Sequence, residues 1–197
     1  MNELEPFRRH VLNRVKLSEE KLETFVTTFT LRTIRKKQLI AQPDFVTGYR
    51  TYVLDGALRS YVIGPDGSEN TIQFAVNDWW ISDINSYQYQ KPGTLFIAAL
   101  EDSRILQIGF EAEQRLKAAD HQFETFFRIG AERTAAFHQR RIISSLTLTA
   151  EERYEEFLKT YPDVAQRLPQ YAIASYLGMT TEFLSKIRHD KVRKKLK

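Results

Sequence analysis

A segment near the end of the sequence has the residue types and spacing of two short helices joined by a tight turn. It reads QYAIASYLGMTTEFLSKIR from Gln170 to Arg188. Gly178 supplies a turn residue that tolerates positive φ, and Ala174, four residues earlier, leaves room for the helices to press together. Apolar residues at helical spacing would hold the helices to each other and to their domain: Ile173, Leu177, Met179, Leu184 and Ile187. The pattern predicts a helix-turn-helix, and the alternative is an ordinary helical hairpin buried in an α-helical domain.

The second helix of this segment would present polar side chains suited to base edges. Thr180 is a suitable N-cap, Lys186 can donate to guanine O6 and N7, and Glu182 can accept from cytosine N4. Glu182 is also favourable at a helix N-terminus, without any role in DNA binding. Gln170, Arg188 and the basic end of the chain are expected to contact phosphates. The residues predicted to bind DNA are Gln170, Thr180, Thr181, Glu182, Ser185, Lys186, Arg188, His189, Lys191, Arg193 and Lys194.

The same end of the sequence is strongly basic. Residues 167–197 contain eight Lys or Arg and two acidic residues, a net charge of +6, whereas the rest of the chain carries −2. Such a charge distribution is typical of a segment that meets polyanions, although a solvated tail has the same composition. Nine residues, HDKVRKKLK, follow Arg188. They are too few for a β-hairpin, and their basic side chains are expected to hold phosphates electrostatically.

The composition excludes several classes of site. The chain has 197 residues and no cysteine, which excludes disulfides, thiolate zinc sites and iron–sulfur clusters. Four scattered histidines give no support for haem. A metal enzyme on a cupin-like barrel would require histidines on the strands, and residues 30–108 contain none. We therefore predict neither an enzyme nor a metal or cofactor. Without an apolar segment long enough to span a membrane or act as a signal peptide, a cytoplasmic location without membrane association is expected.

The elements that would position the helix-turn-helix follow from periodicity. Residues 3–29 predict two helices, the second capped by Ser18 with a Leu22, Phe25, Val26 and Phe29 stripe. Residues 30–108 alternate short β-rich runs with Gly, Pro and Asp turns, which indicates an antiparallel barrel or jelly roll. The predicted strands are Thr30–Ile34, Tyr49–Leu54, Leu58–Ile63, Thr71–Ala75, Leu95–Leu100 and Ile105–Ile108. Asp55-Gly56 predicts a hairpin between the second and third of them.

The remaining residues read as helices again. Apolar and small residues recur at spacings of four and three on one helix: Phe123, Phe127, Gly130, Thr134 and Phe137. We interpret this seam as a dimer contact, and its packing against the chain's own barrel is the alternative. Thr149 and Glu152 form a capping box for the next helix. The expected domains are a sensor barrel with N-terminal helices (1–110), a long connecting and dimer helix (111–147) and a helix-turn-helix domain (148–197).

This order of elements resembles the Crp/Fnr family of bacterial transcription regulators, in a branch with a shortened C-terminus. The resemblance is strongest in TAEERYEEFLKTYPDVAQRLPQYAIASYLGMTTEFLSKIR and extends to YVLDGALRSYV, which resembles a barrel hairpin of that family. It implies an α+β fold with an antiparallel, cyclic-nucleotide-binding-like jelly roll, a long dimerisation helix and an all-α helix-turn-helix domain without a full wing. It also implies a homodimer on near-palindromic double-stranded DNA, with recognition helices about 34 Å apart, and RNA polymerase as a further partner.

The effector pocket departs from the family pattern. Ser82 and Asp83 stand where cyclic-nucleotide-binding members have Gly-Glu, and Gly93 and Thr94 stand at their Arg-Ser position. Because the phosphate-binding arginine is missing, a buried phosphate would lack its cation. We predict that cAMP is not bound in the usual way, and the effector is unknown. The candidate pocket residues are Ser82, Asp83, Thr94 and His138, the last of which has a helix-interface role as its alternative. A protein-interaction module that has lost DNA binding is the other function considered.

Overall fold

The chain forms two compact units that are not contiguous in sequence. The computed structural model describes residues 3–195, without the side chains of Val192, Lys194 and Lys195. Residues 3–62 and 73–135 form the first unit, here called the barrel unit. Residues 63–72 and 136–195 form the second, here called the C-terminal unit. Among the described residues, no helix combines the length and apolarity needed to cross a bilayer.

Two four-stranded sheets form the framework of the barrel unit. The strands are β1 (Thr30–Ile34), β2 (Leu39–Ala41), β3 (Tyr49–Asp55), β4 (Ala57–Ile63), β5 (Glu69–Val76), β6 (Trp80–Ile81), β7 (Phe96–Ala99) and β8 (Ser103–Gly109). One sheet has the order β1-β8-β3-β6 and the other β2-β7-β4-β5. β8 pairs antiparallel with β1 and β3, β6 with β3, and β7 with β2 and β4, as the turn-rich sequence predicts. The two shortest strands, β2 and β6, are not predicted by the sequence.

The Asp55-Gly56 turn does not form the predicted hairpin. β3 pairs with β8 and β6, whereas β4 pairs with β7 and β5, so the turn carries the chain from one sheet to the other. Gly56 adopts φ +116°, and a Cβ at this position would lie 2.1 Å from Ser103 Oγ. The predicted hairpin is therefore wrong, because the dipeptide marks a tight turn without specifying the hydrogen-bonding partner of either strand.

The N-terminal helices pack into an aromatic core. α1 (Glu5–Leu12) is followed by α2 (Glu19–Thr27), whose first turn is capped by the Ser18 hydroxyl accepting from Lys21 N at 3.3 Å. The four residues of the predicted stripe are buried as expected, although Phe29 lies two residues beyond the end of α2. Phe25 lies in one hydrophobic cluster with Phe7, Tyr52 and Phe123. These contacts hold the helices to the barrel through the hydrophobic effect.

The long helix is shorter than the sequence predicts, because residues 110–147 form two helices. α3 (Ile84–Tyr89) lies between β6 and β7, and α4 (Phe110–Ala119) follows β8. Asp120 is extended, at φ −154° and ψ 130°, and separates α4 from α5 (His121–Thr147). Its carboxylate accepts from Gln122 N at 2.7 Å and pairs with Lys21 at 2.6 Å. Asp120 thus caps the new helix, since a short acidic side chain satisfies an amide that lacks a helical partner.

A buried charge cluster fixes α4 against the barrel. Glu113 is fully buried and accepts two hydrogen bonds from the Arg50 guanidinium, at 2.8 and 3.0 Å. The Lys117 ammonium lies 2.6 Å from the same carboxylate, and the Tyr87 hydroxyl donates to it at 2.9 Å. This carboxylate raises the pKa of Tyr87 together with burial, which is the larger cause. The carboxylate is therefore fully compensated, as a buried charge must be.

The C-terminal unit is helical, apart from residues 63–72 at the tip of the β4–β5 hairpin. Its helices after α5 are α6 (Ala150–Thr160), α7 (Pro162–Arg167), α8 (Gln170–Tyr176) and α9 (Thr181–Lys195). The predicted capping box begins α6, where Thr149 N donates to the Glu152 carboxylate at 2.8 Å and Glu152 N donates to Thr149 Oγ1 at 3.3 Å. The hydrogen bonds that Thr149 N and Thr149 Oγ1 donate to the carboxylate lower the pKa of Glu152. The α6 residues Tyr154 and Phe157 are buried.

Candidate nucleic-acid interface

The turn between α8 and α9 has the geometry that the sequence predicts. Gly178 adopts φ +69°, and an added Cβ would meet nothing within 4 Å, so the requirement for glycine is conformational. Ala174 is 1% exposed, and its carbonyl accepts from Met179 N at 3.0 Å. Buried apolar side chains join the two helices: Ile173, Leu177, Leu184 and Ile187. Residues 170–188 thus form a helix-turn-helix.

The second helix of this motif presents a polar line opposite its buried face. Thr180 Oγ1 accepts from Phe183 N at 3.1 Å, which confirms the predicted N-cap. Glu182, Lys186, His189 and Arg193 follow at spacings of four, three and four residues, and all four are exposed. Because a helix repeats every 3.6 residues, these side chains share one face.

Other residues predicted to bind DNA surround this line. Gln170, Thr180, Thr181, Ser185 and Arg188 are exposed. Lys191 is half-buried and its ammonium lies 3.1 Å from the Glu155 carboxylate on α6. The side chain of Lys194 lies outside the described residues, as do Leu196 and Lys197 at the end of the predicted basic tail. The DNA-binding roles of all these residues stay predictions.

Two arginines hold the motif in place, and the sequence analysis did not identify either. Arg153 on α6 donates from Nε to Leu177 O at 3.0 Å and from Nη1 to Leu148 O at 2.8 Å. Arg141 on α5 donates to Tyr176 O at 2.8 Å, and its guanidinium lies 4.4 Å from the centre of the Tyr176 ring. Cations are favourable at the carbonyl-rich ends of helices. Burial lowers the pKa of Arg141, and no local sequence signal reveals either contact.

The hairpin tip at residues 63–72 is bound to α8 within the C-terminal unit. The Ser175 hydroxyl donates to Glu69 O at 2.5 Å and accepts from Thr71 N at 2.8 Å. Arg141 also donates to Thr71 O at 2.8 Å. The first helix of the motif is therefore fixed by side-chain hydrogen bonds to an element that lies about 100 residues earlier in the chain.

The predicted dimer seam is split between buried and accessible side chains. Phe123 and Phe127 are only 3% and 4% exposed and lie in the core of the barrel unit. For these two residues the alternative interpretation holds, because they pack within their own chain. Gly130, Thr134 and Phe137 are half-buried. Further along α5, three large apolar side chains are exposed: Ile142 at 59%, Ile143 at 52% and Leu146 at 78%. Any dimer contact of α5 must use side chains other than Phe123 and Phe127.

A cavity of about 790 Å³ lies in the C-terminal unit between α5, α6 and the end of α8. His138 lines it beside Phe137, with 5.2 Å between the two ring centres. Burial lowers the pKa of His138, and the neighbouring Arg141 lowers it further. The structure thus places His138 in the C-terminal unit, whereas the three other predicted effector residues lie in the barrel unit.

The barrel-unit residues that the sequence predicts to line an effector pocket are hydrogen-bonded within the protein itself. Asp83 Oδ2 accepts from Thr94 N at 3.0 Å and from Leu95 N at 3.2 Å, while Oδ1 accepts from Ser86 N at 3.0 Å. A Cβ added at Gly93 would lie 2.8 Å from Asp83 Oδ2. Ser82 is buried, and its hydroxyl accepts from Thr51 N at 3.3 Å. The amides of residues 94 and 95 are therefore already bonded to an anionic group.

Among the aromatic residues that follow β5, Trp80 packs against the aromatic core of the N-terminal helices. Its Nε1 donates to His10 Nε2 at 3.0 Å, and its ring packs beside Phe7 and Tyr52. Trp79 packs against a different cluster of buried residues, which includes Val53 and Ile97. Tyr87 is buried, whereas Tyr89 is 67% exposed. Among the residues that the structure describes, no cluster of His, Cys, Asp and Glu could hold a metal ion.

No protein-family model matches the sequence, and no curated protein matches it significantly. Solved structures do match. FixK2 from Bradyrhizobium japonicum is 19% identical to this chain and superposes with a TM-score of 0.73. The match covers 84% of this chain and 85% of the FixK2 chain. The c-di-GMP-responsive global regulator CLP of Xanthomonas campestris is 12% identical, with 91% and 94% covered and a TM-score of 0.74. A CooA mutant from Carboxydothermus hydrogenoformans is 19% identical, with 93% and 83% covered and a TM-score of 0.67.

These matches include both the barrel and the helical elements, because they cover most of either chain. They confirm the predicted α+β fold class and the resemblance at the level of structure. The chain has the fold of the Crp/Fnr regulators.

Proposed function

We propose that this protein is a sequence-specific, homodimeric DNA-binding transcription regulator. The observation that carries the proposal is the line of Glu182, Lys186, His189 and Arg193 on the exposed face of α9. It stands on a helix-turn-helix whose turn, cap and buried face are all formed. An α-helix fits the major groove of B-DNA, where donors and acceptors distinguish the base pairs.

The exposed residues of the motif divide by their chemistry into two roles. Lys186 donates to guanine, and Glu182 accepts from cytosine N4, so these two read bases. Gln170 and Arg188 contact phosphates and set the position of the helix on the duplex. Lys191 joins them by leaving Glu155, since an ion pair that is 35% and 61% exposed contributes little stability.

Dimerisation is assigned to the exposed apolar face of α5. Ile142 and Leu146 are four residues apart, and Ile143 is adjacent, so the three share one side of the helix. Large apolar side chains that cluster in this way indicate a contact surface. A second copy of α5 would cover them and place two recognition helices on one near-palindromic site.

The barrel unit of this regulator does not bind cAMP in the usual way. Asp83 already accepts hydrogen bonds from the amides of Thr94 and Leu95, and a phosphate there would meet this carboxylate. Gly93 provides no cation to compensate. Isothermal calorimetry with cAMP is expected to show no binding tighter than about 10 µM, and tighter binding would overturn this part of the proposal.

DNA binding is tested by selecting ligands from a randomised duplex and then titrating the selected site. We expect a near-palindrome with half-sites one helical turn apart and an affinity that falls steeply with salt. Lys186→Ala should relax selectivity at one base position, whereas Arg188→Ala should weaken all sequences alike. Lys91→Ala, which removes the same charge from an exposed position of the barrel unit, is the control. Absence of binding even at about 50 mM salt would refute the proposal.

The dimer is tested separately by sedimentation. The wild type should sediment as a dimer, and Ile142→Asp with Leu146→Asp should give a folded monomer, because buried charges are costly in an apolar contact. Leu12→Asp, at another exposed leucine, should leave the dimer intact. A wild-type monomer, or a dimer unaffected by the double variant, would exclude this face of α5.

A further inference from the structure

Phe183 is an exposed aromatic residue on the second helix of the motif, and the roles assigned above do not include it. It lies in the first turn of α9 and is 42% exposed. Other apolar side chains join α9 to the rest of the motif, since Leu184 and Ile187 are 1% and 6% exposed. The fold therefore leaves a large part of the Phe183 ring in contact with water.

The backbone places Phe183 beside the residues assigned to base reading. Its N donates to Thr180 Oγ1 at 3.1 Å, so it belongs to the capped first turn of α9. Glu182 precedes it, and Lys186 follows three residues later, on the adjoining turn of the helix surface. In helix-turn-helix proteins the N-terminal residues of the second helix contact base edges. Phe183 would thus enter the groove together with Glu182 and Lys186.

The chemistry of a phenyl ring limits what Phe183 can contact in the groove. The ring has no hydrogen-bond donor or acceptor, so it cannot hold a phosphate, as Gln170 and Arg188 are expected to do. The apolar group that the major groove offers is the C5 methyl of thymine, which distinguishes a T·A pair from the others. Contact between this methyl group and the ring would remove apolar surface of both from water.

The surroundings of Phe183 argue against an apolar protein partner at this position. Protein contact sites are usually formed by a contiguous apolar patch, and such a partner would desolvate the adjoining charges of Glu182 and Lys186. A duplex offers hydrogen-bonding groups to both charges and a methyl group to the ring. The other exposed residues within positions 181–187 are all polar: Thr181, Glu182, Ser185 and Lys186.

We propose that Phe183 determines a specificity for thymine, by packing against the C5 methyl group of one thymine in each half-site. The protein then prefers T over C at that base pair, while Glu182 and Lys186 read neighbouring pairs. The inference rests on the proposed function, because it requires α9 to bind in the major groove. It adds a base preference and a residue that the sequence analysis did not identify.

The test removes the methyl group without changing any hydrogen bond of the duplex. Each thymine of the half-sites selected from the randomised duplex is replaced in turn by deoxyuridine, and binding of the wild type is measured by fluorescence anisotropy at fixed salt. At one position the dissociation constant should rise about fourfold when one half-site lacks the methyl group, as expected for one buried methyl. Replacement in both half-sites should raise it about 15-fold, because the two sites are independent.

Two variants assign this effect to Phe183. Phe183→Ala should bind the thymine duplex more weakly than the wild type does, and it should bind the thymine and deoxyuridine duplexes equally. Tyr171→Ala removes another exposed ring of the same motif, on α8, and should keep the difference of about fourfold. The deoxyuridine series uses the wild-type protein, so its result does not depend on the folding of either variant.

The outcomes separate this inference from the proposed function. Absence of binding to any duplex would refute the proposed function and the role of Phe183 with it. Three results would overturn the role of Phe183 alone: binding that is insensitive to every thymine methyl, selected half-sites that contain no thymine, or a methyl effect that persists in Phe183→Ala.

Discussion

Gly178 offers the sharpest test of the helix-turn-helix geometry. Its φ of +69° is unfavourable for residues with a Cβ by about 1–2 kcal/mol, whereas the reduced freedom of the unfolded chain returns about 0.4–1 kcal/mol. Because an added Cβ would meet nothing within 4 Å, no steric clash contributes. Gly178→Ala should therefore lower the free energy of unfolding of the C-terminal unit by about 1 kcal/mol. Asn, which tolerates this conformation, should cost less, and the β-branched Val should cost more.

The assay is urea-dependent hydrogen exchange, measured on peptides from residues 170–190 at fixed protein concentration. The order of stability should be Gly, Asn, Ala and then Val. Gly48→Ala is the control, because its Cβ also meets open space and its φ lies outside the left-handed region, so it should stabilise the barrel unit by about 0.5 kcal/mol. Equal stability of all four residues at Gly178, or a loss at Gly48 as large as that at Gly178, would refute the conformational argument.

Three other predictions concern buried or half-buried polar groups. Glu113→Gln should destabilise the barrel unit by about 3–5 kcal/mol in urea unfolding, because two cations lose their partner, whereas Glu111→Gln, exposed on the same helix, should change it by less than about 0.5 kcal/mol. Burial lowers the pKa of His10 to about 3, so between pH 6.5 and 3 only the unfolded chain takes up this proton. The free energy of unfolding should therefore decrease as the pH is lowered through this range, by up to about 1.4 kcal/mol per pH unit. In His10→Gln this pH dependence should be weaker. Arg153→Met should cost the C-terminal unit about 2–3 kcal/mol in hydrogen exchange, and exposed Arg140→Met should cost little; equal effects of the two would contradict the anchoring role.

Features that depend on neighbours within about four residues were predictable from the sequence. The Thr149–Glu152 capping box, the Ser18 and Thr180 caps and the glycine of the α8–α9 turn occur as predicted. Each is a local hydrogen bond or a backbone conformation that one residue type favours. The longer strands were located because short runs of β-favouring residues lie between Gly, Pro and Asp turns.

Features that depend on distant partners were not predictable. The sequence could place a turn at Gly56 but could not assign β3 and β4 to different sheets. Phe123 and Phe127 have the spacing of a dimer seam, yet they pack in the chain's own core. Helical periodicity identifies an apolar face without naming the surface that will cover it.

The candidate site shows the same division. The sequence by itself determined the motif, its outward residues and its basic charge, because these follow from helix geometry and residue type. Only the tertiary structure decided that Arg153 binds the end of α8 and that Ser175 binds the hairpin tip about 100 residues earlier. It also decided that the Asp83 carboxylate accepts hydrogen bonds from the amides of residues 94 and 95. Such contacts join groups that no local pattern relates, and they form because buried donors and acceptors must find partners wherever the fold brings them together.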